Sequence, residues 1–440
     1  MWFIEYLLFL AFVTFWPTNM NKTYTLLFCV LLMLSCTEEK ETIHSRNDLK
    51  STKDIEGVNF LISQGQWLGQ LKISENKAIP FNFEVIQDSV FITNSDERIG
   101  ALIKKEGDSL VIKMPVFDSE FHFTLSDYAL SGFWHNYAKK DYKIPFSAEM
   151  KTTGLDDRFN ISHDEKYTLF DGEWETIFSK GKEGEYKAIG VFNQDGQSIV
   201  GTFITQTGDY RFLQGNIAND SIFLSCFDGS HAFLFQGTLV DGTINGMFYS
   251  GSHWSEPWVA TKNELFTLAN PYSLTNQVKE EKLEFTFPNL ERVNVSYPNE
   301  AYKNKVVIIQ VLGSWCPNCM DETKFLTELH KSYQPEGLEI IGLAFEIPKN
   351  LNDKITRVKD LKSHFDSKYE FLIAGNASKK EAEKALPALS EISSFPTTIF
   401  IDKKGAIRKI HTGFYGPGTG AYYTEYVSEV KALVEELLNE

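Results

Sequence analysis

Lys305-Val-Val-Ile-Ile-Gln-Val-Leu312 is a near-continuous apolar run, the pattern of a strand buried on both faces inside a sheet. It passes at once into Gly313-Ser314-Trp315-Cys316-Pro317-Asn318-Cys319. Beyond the second cysteine, Phe325, Leu326 and Leu329 recur at helical spacing, with Lys324, Glu328 and Lys331 between them. Gly337 closes that helix, and Leu338-Glu-Ile-Ile-Gly-Leu-Ala-Phe345 is the next strand. Parallel strands need a crossover of this kind. The stretch therefore predicts a βαβ unit with Cys-x-x-Cys at its strand-to-helix turn, a setting that gives the four-residue motif its meaning.

The start of a helix exposes unpaired N–H groups and the positive end of the backbone dipole, both of which favour a thiolate. Cys316 is thus expected to be the nucleophile that attacks a substrate disulfide, and Cys319, one turn further in, the residue that resolves the mixed disulfide. Pro317 is tolerated in the first turn because its missing N–H would have no partner there. Trp315 would shield one side of the sulfur. Half a zinc site is the competing reading, but zinc takes four ligands. No second cysteine pair follows, Cys226 is isolated, and His330 and His364 lack close ligand spacing, so no metal is expected. A purely structural disulfide would close a two-residue loop and gain little entropy. The expectation is redox chemistry with no diffusible cofactor, carried by the Cys316–Cys319 pair itself.

From Leu283 to Glu440 the chain resembles the thioredoxin superfamily, specifically the envelope-tethered TlpA/ResA-type thiol-disulfide oxidoreductases, with an AhpC/TSA-Redoxin-like character. Besides Trp315-Cys-Pro-Asn-Cys319, the matching residues are Phe395-Pro396-Thr397-Thr398 leading into Ile399-Phe-Ile401. The resemblance implies that Pro396 is the cis-proline facing the cysteines and that Phe395 presents its backbone to the substrate. It also implies that Glu322 tunes cysteine acidity and manages a proton; an acidic residue is equally favoured there by the helix dipole. Gln310 stands where thioredoxin itself has a buried Asp, which shifts proton handling to Glu322 or water. Asn318 differs from thioredoxin's middle residues, so no redox potential carries over. Two helical stretches flank a strand at Glu370-Phe-Leu-Ile373 within residues 350–390. The Thr412–Gly420 stretch resembles a glycine-rich segment of some relatives and lacks the Gly-Lys-Ser/Thr ending of a phosphate loop. The implied partners are protein disulfides and a membrane electron donor of the DsbD/CcdA type.

Between Val58 and Ala260 the texture is different. Ala78–Ile86, Ser109–Met114 and Glu120–Leu125 alternate or are β-branched and aromatic, and Asn193–Gly196, Asp228-Gly229 and Asp241-Gly242 sit where hairpin turns belong. Antiparallel meanders follow. The two halves look alike. Gly65-Gln66-Trp67 matches Gly172-Glu173-Trp174, and Asp108-Ser109-Leu110 matches Asp220-Ser221-Ile222. Phe117-Asp118 matches Phe227-Asp228, and Leu130-Ser131-Gly132-Phe133 matches Ile244-Asn245-Gly246-Met247. Four matches in one order indicate duplication. His135 and His253, each beside a tryptophan, read as strand-end residues rather than a pocket, Cys226 as a buried small hydrophobe, and Glu97-Arg98 as a solvated pair. A binding or scaffolding role is the default for this region.

The N-terminus reads as targeting sequence. Trp2–Trp16 is apolar and a second run, Leu26–Ser35, follows Met20 and Lys22 and ends at Cys36. One reading is a signal anchor from Met1; the other is translation from Met20, with Leu32-Met33-Leu34-Ser35-Cys36 resembling a Bacteroidetes-type lipoprotein signal that acylates Cys36. Either puts the bulk of the chain in the cell envelope, periplasm-facing or on the outer membrane as a lipoprotein, and not in the cytoplasm. The expected organisation is a targeting segment over 1–36, a polar tether over 37–56, β-rich repeats over 57–155 and 156–265, a linker over 266–282 and an α/β thioredoxin-like domain over 283–440. The fold class is thus multidomain, an antiparallel all-β N-terminal region with internal duplication followed by an α/β domain. A formal charge of −16, from 43 basic and 59 acidic side chains, argues against nucleic acid as a partner. The alternatives to a disulfide reductase are a peroxiredoxin-like thiol peroxidase, whose Pro-x-x-x-Thr/Ser-x-x-Cys pattern is missing around Cys316, and a β-module ligand-binding lipoprotein with an accessory redox domain.

Overall fold

A computed structural model describes residues 61–126, 129–152, 157–161, 166–279 and 281–440. The expectations for Met20, Cys36 and the tether lie outside the described residues. Among the described residues, eight antiparallel strands, β1 (Gly65–Ser74) through β8 (Lys143–Met150), form a closed barrel in sequential order, with β1 pairing both β2 (Lys77–Ile86) and β8. A second barrel runs from β9 (Gly172–Phe178) to β17 (Trp254–Lys262). It closes where β17 pairs with β9 and β10 (Tyr186–Asp195) pairs with both β9 and β11 (Ser198–Thr205). Closure removes the unpaired edges that an open meander would expose.

Three of the four matched sequence pairs fall on, or at the start of, corresponding strands; Phe117 lies in the bend after the fifth strand, whereas Phe227 is the last residue of its strand. Gly65 and Gly172 open β1 and β9 with φ of 122° and 97°, a backbone that favours glycine. The indole N–H of Trp67 donates to the Ser63 carbonyl at 3.1 Å, and that of Trp174 to the Phe170 carbonyl at 2.8 Å, four residues back in both cases. Asp108 and Asp220 precede β5 (Ser109–Lys113) and β14 (Ser221–Phe227), and Leu130 and Ile244 are buried in β7 (Ala129–Asn136) and β16 (Thr243–Ser250). Asp241 and Gly242 form a two-residue hairpin turn with positive φ at both. The barrels differ in one respect that matters below. β3 (Ser89–Asn94) turns directly into β4 (Glu97–Glu106), whereas β11 reaches β13 (Leu213–Ala218) through an excursion containing the short β12 (Gly208–Asp209).

The barrels share an apolar seam. Phe227 of β14 inserts into the aromatic core of the first barrel, 4.8 Å from Phe81, 5.2 Å from Trp134 and 5.3 Å from Phe121 by ring centroids. Burying one such ring is worth about 1.5–3 kcal/mol. Arg158, 1% exposed, lies in the segment between the barrels and ties them together. Its guanidinium donates to Asn94 Oδ1 (3.2 Å) and the Ser225 carbonyl (2.9 Å), and to the Thr93 carbonyl and Gln214 Oε1 (3.0 Å).

The C-terminal domain is thioredoxin-like. A hairpin of β18 (Phe285–Pro288) and β19 (Asn294–Tyr297) precedes a five-stranded sheet in the order β22-β21-β20-β23-β24. Its strands are β20 (Val306–Leu312), β21 (Leu338–Glu346), β22 (Glu370–Asn376), β23 (Thr397–Ile401) and β24 (Ile407–Thr412). The first three pair in parallel; β23 and β24 are antiparallel. Every residue of β20 is buried, as its composition requires. Helices α1 (Pro317–Tyr333), α2 (Leu351–His364), α3 (Lys379–Ala385) and α4 (Ala421–Asn439) complete the domain. Gly337 takes φ 110° where the short turn after α1 ends. The segment after the second barrel is docked on this domain, with the Val278 N–H donating to the Ala388 carbonyl at 2.8 Å and Thr412 Oγ1 to Thr275 Oγ1 at 2.8 Å. No helix among the described residues is long and apolar enough to cross a membrane.

Arg158→Met removes four hydrogen bonds to a charged group at once. With each worth about 1.5–3 kcal/mol and not additive, unfolding in urea is expected to lose about 3–5 kcal/mol.

Candidate active site

β20 delivers the chain to the loop Gly313–Trp315, which three bonds hold in place. Glu346, at the end of β21, accepts from the Ser314 N–H at 2.8 Å and from Ser314 Oγ at 2.6 Å, and the Trp315 indole donates to the Phe345 carbonyl at 2.8 Å. A side chain at Gly313 would overlap that indole, so the glycine is what lets Trp315 fold back. Cys316 then caps α1, its sulfur accepting from the Cys319 N–H at 3.3 Å, and Pro317 occupies the first turn. Both thiols are unbonded. Cys316 is 8% exposed and Cys319 only 1%. Burial pushes the Cys319 thiol well above its ordinary value, reinforced by Cys316 and by the charge of Glu322.

The opposite side of the sulfur is the loop before β23. The Phe395–Pro396 bond is cis, Cys316 Sγ donates to the Phe395 carbonyl at 3.5 Å, and the Phe395 ring meets Trp315 edge to face at 5.6 Å. Thus Trp315, Cys316, Pro317, Cys319, Phe395 and Pro396 come together. Glu322 sits one turn further along α1, fully buried, and neither sulfur is among its hydrogen-bond partners. It accepts from Thr398 Oγ1 (2.5 Å), Gln310 Nε2 (2.9 Å) and the Tyr426 hydroxyl (3.4 Å). Burial pushes its carboxyl up to about 7 against the pull of these three donors. Gln310 and Glu322 therefore form one network; Gln310 Nε2 also reaches the Cys319 carbonyl at 3.5 Å.

The sequence reading missed the second barrel's part in the site. Arg211, just past β12 and 6% exposed, donates to the Pro317 carbonyl at 3.3 Å and pairs with Asp321 of α1, with Glu97 of the first barrel and, at 3.6 Å, with Asp228. This corrects the expectation for Glu97-Arg98. Arg98 does pair on the surface, with Glu84 at 3.0 Å, but Glu97 points inward to the junction of all three bodies. Four carboxylates crowd this one guanidinium. Burial pushes Asp321 up to about 7 although Arg211 opposes it, with Asp209, Glu97 and Asp228 adding repulsion. Burial also raises Asp209, opposed by the Gly416 N–H and Arg211. At Asp228, burial is outweighed by His231 and Arg211, and its carboxyl falls below the ordinary range. Neighbouring signals were present as isolated glycines. A side chain at Gly413 (φ 84°) would collide with the Thr207 backbone, one at Gly418 would crowd the Arg211 backbone, and one at Gly208 would displace the Asn318 amide. His135 and His253 lie away from the cysteines. His135 stacks on Tyr137, and His253 bonds Lys139 (2.9 Å) and Tyr142 (3.2 Å) across the barrel seam. Cys226 is buried in β14.

Residues 278–410 match the AhpC/TSA family. Over 112 residues the chain is 29% identical to thiol-disulfide oxidoreductase ResA of Geobacillus thermodenitrificans, covering 26% of this chain and 57% of that protein. ResA of Bacillus thuringiensis is 26% identical over 172 residues, 38% of this chain and 87% of the relative. Thiol:disulfide interchange protein DsbE of Vibrio cholerae is 30% identical over 131 residues, 30% and 62% respectively. The chain thus spans little more than half the length of the first of these relatives. Among solved structures, a thiol:disulfide interchange protein of Chlorobium tepidum aligns with 18% identity and a TM-score of 0.28, over 36% of this chain and 94% of that one. The family match covers both Trp315–Cys319 and Phe395–Thr398, the residues that carry the TlpA/ResA resemblance.

Glu322 and Asp321 both take up protons more readily folded than unfolded, so folding stability falls as pH rises from about 4 through about 7. The shifts correspond to roughly 3 kcal/mol at Glu322 and roughly 4 kcal/mol at Asp321. Urea titrations across pH 4–8 are expected to show this decline, with Glu322→Gln flattening it and Asp321→Asn flattening it further.

Proposed function

We propose that the chain is an envelope thiol-disulfide oxidoreductase working through the Trp315–Cys319 motif, its net direction being reduction of substrate disulfides. The observation that carries this reading is the placement of Cys316 at the first turn of α1, bonded to the Cys319 N–H and facing the Phe395 carbonyl of the cis-proline loop. The names of the relatives support it.

The Cys316 thiolate attacks one sulfur of a substrate disulfide, forming a mixed disulfide and expelling one substrate thiolate. Cys319, once deprotonated, attacks Cys316 Sγ; the second substrate thiolate leaves and the Cys316–Cys319 disulfide remains. Two electrons have passed to the substrate. Because burial disfavours the Cys319 thiolate, its proton needs an acceptor, and that role is assigned to Glu322, whose carboxyl is pushed up to about 7 and whose charge acts on Cys319, with Gln310 donating to that carboxylate and holding it in place. Phe395 presents its backbone to the substrate, Pro396 shapes that turn, and Trp315 screens the sulfur. Regeneration requires a dithiol donor, assigned here to a membrane protein of the DsbD/CcdA type. No diffusible cofactor enters the cycle. Attachment through acylated Cys36, on the periplasm-facing or outer membrane, would place the site outside the cytoplasm.

Single-turnover release of thionitrobenzoate from 5,5′-dithiobis(2-nitrobenzoate), by the chain reduced with dithiothreitol and then freed of it, is expected to fall to background in Cys316→Ser. Cys319→Ser should accumulate a mixed disulfide detectable by intact mass. Glu322→Gln should slow resolution more than the first attack, shifting the pH profile of the second step. Hydrogen peroxide consumption with dithiothreitol as donor is expected to stay at background; a rate comparable with that of the disulfide would sink the reductase reading in favour of a thiol peroxidase.

A further inference from the structure

A disulfide reaches Cys316 only through the space in front of it, and the second barrel occupies part of that space. The remaining cleft, about 660 Å³, has Trp315, Cys316 and Phe395 on one wall and Tyr186, Tyr210 and His231 on the other. The barrel wall is tied to the redox domain at several points. Ser394 Oγ donates to the Thr207 carbonyl at 3.0 Å, immediately before the cis-proline turn. The Gly416 N–H donates to Asp209 Oδ2 at 2.7 Å. Arg211 adds its pairing with Asp321 and its bond to the Pro317 carbonyl. The Asn318 amide, between the two cysteines, fills the space that a side chain at Gly208 would enter. Behind the wall, the Tyr186 hydroxyl bonds the Tyr210 hydroxyl at 2.6 Å and Glu256 at 3.0 Å, which fixes both rings.

A volume of this order accommodates a small ligand or a stretch of extended chain. A folded protein docking over a disulfide needs on the order of 800 Å² of open surface on each partner, and the turn stands where that surface would be. Moving the turn aside would strip a buried guanidinium from its carboxylates, a change that costs several kcal/mol. We infer that the Thr205–Tyr210 excursion of the second barrel is a size filter, admitting slender disulfides with no folded structure around them and excluding those on the surface of folded proteins. This rests on the redox reading above and narrows its substrate class.

The test uses the full chain, reduced, against one disulfide chemistry in two settings. A thionitrobenzoate mixed disulfide is made on a linear peptide of about ten residues and on a single surface cysteine of a folded carrier protein. Release of the yellow thiolate is followed for both, with free dithiothreitol as the unfiltered reference. The peptide-to-carrier rate ratio is expected to exceed the dithiothreitol ratio at least tenfold. Gly208→Val, which wedges the turn away from Asn318, and Asp209→Asn, which weakens its anchor, should each bring the ratio down toward that of dithiothreitol. A wild-type ratio equal to the reference overturns the filter while leaving the redox reading intact, as does a high ratio that persists in both folded variants. Release from neither probe overturns the redox reading, and the filter with it.

Discussion

One buried guanidinium holds the molecule's three bodies in register. Arg211 belongs to the second barrel, yet it meets Glu97 of the first barrel and Asp321 and the Pro317 carbonyl of the redox domain. Desolvating a charge is expensive, and only close partners offset it. Here the partners are distributed so that no body can shift without uncovering charge. Because Pro317 and Asp321 lie in the first turns of α1, the same contact sets where Cys316 faces. Geometry at the sulfur is in this sense decided partly by a residue more than a hundred positions away.

Local chemistry was legible in the sequence and long-range chemistry was not. The strand, the Cys-x-x-Cys turn and the helix after it are written in adjacent residues, because apolar period and helix-start preference act over a few positions. Pro396 was recognisable only through resemblance; an isolated proline before a strand has a plainer explanation, and its proximity to Cys316 depends on β20 and β23 being neighbours. The alternating runs announced strands and the repeated Gly-x-Trp motif announced two similar units. Neither could announce closure, since alternation says which face is buried and leaves open which distant strand completes the ring. Glu97 was misread for the same reason. Next to Arg98 it looks like half of a surface pair, and its true partner sits 114 residues away.

The two barrels show where a repeated fold departs from itself. The indole anchors at Trp67 and Trp174 and the strand order are common to both. The tight turn after β3 has been replaced, after β11, by the excursion through β12, which is the part of the second barrel that reaches the cysteines. The first barrel's turn meets the same junction from the other side, with the Ser95 N–H donating to Gln214 Oε1 at 2.9 Å. One copy acts as support and the other as wall.

The glycines of the Thr412–Gly420 loop carry a further meaning. Gly413 and Gly418 are bare because Thr207 and Arg211 lie directly against them. Such a surface is cut to fit one neighbour, as a mortise is cut for one tenon. The C-terminal domain is therefore not an interchangeable unit of the kind its fold suggests. Grafted behind a different N-terminal region, it would carry a shallow depression where its counterpart should sit and an acidic Asp321 without its cation.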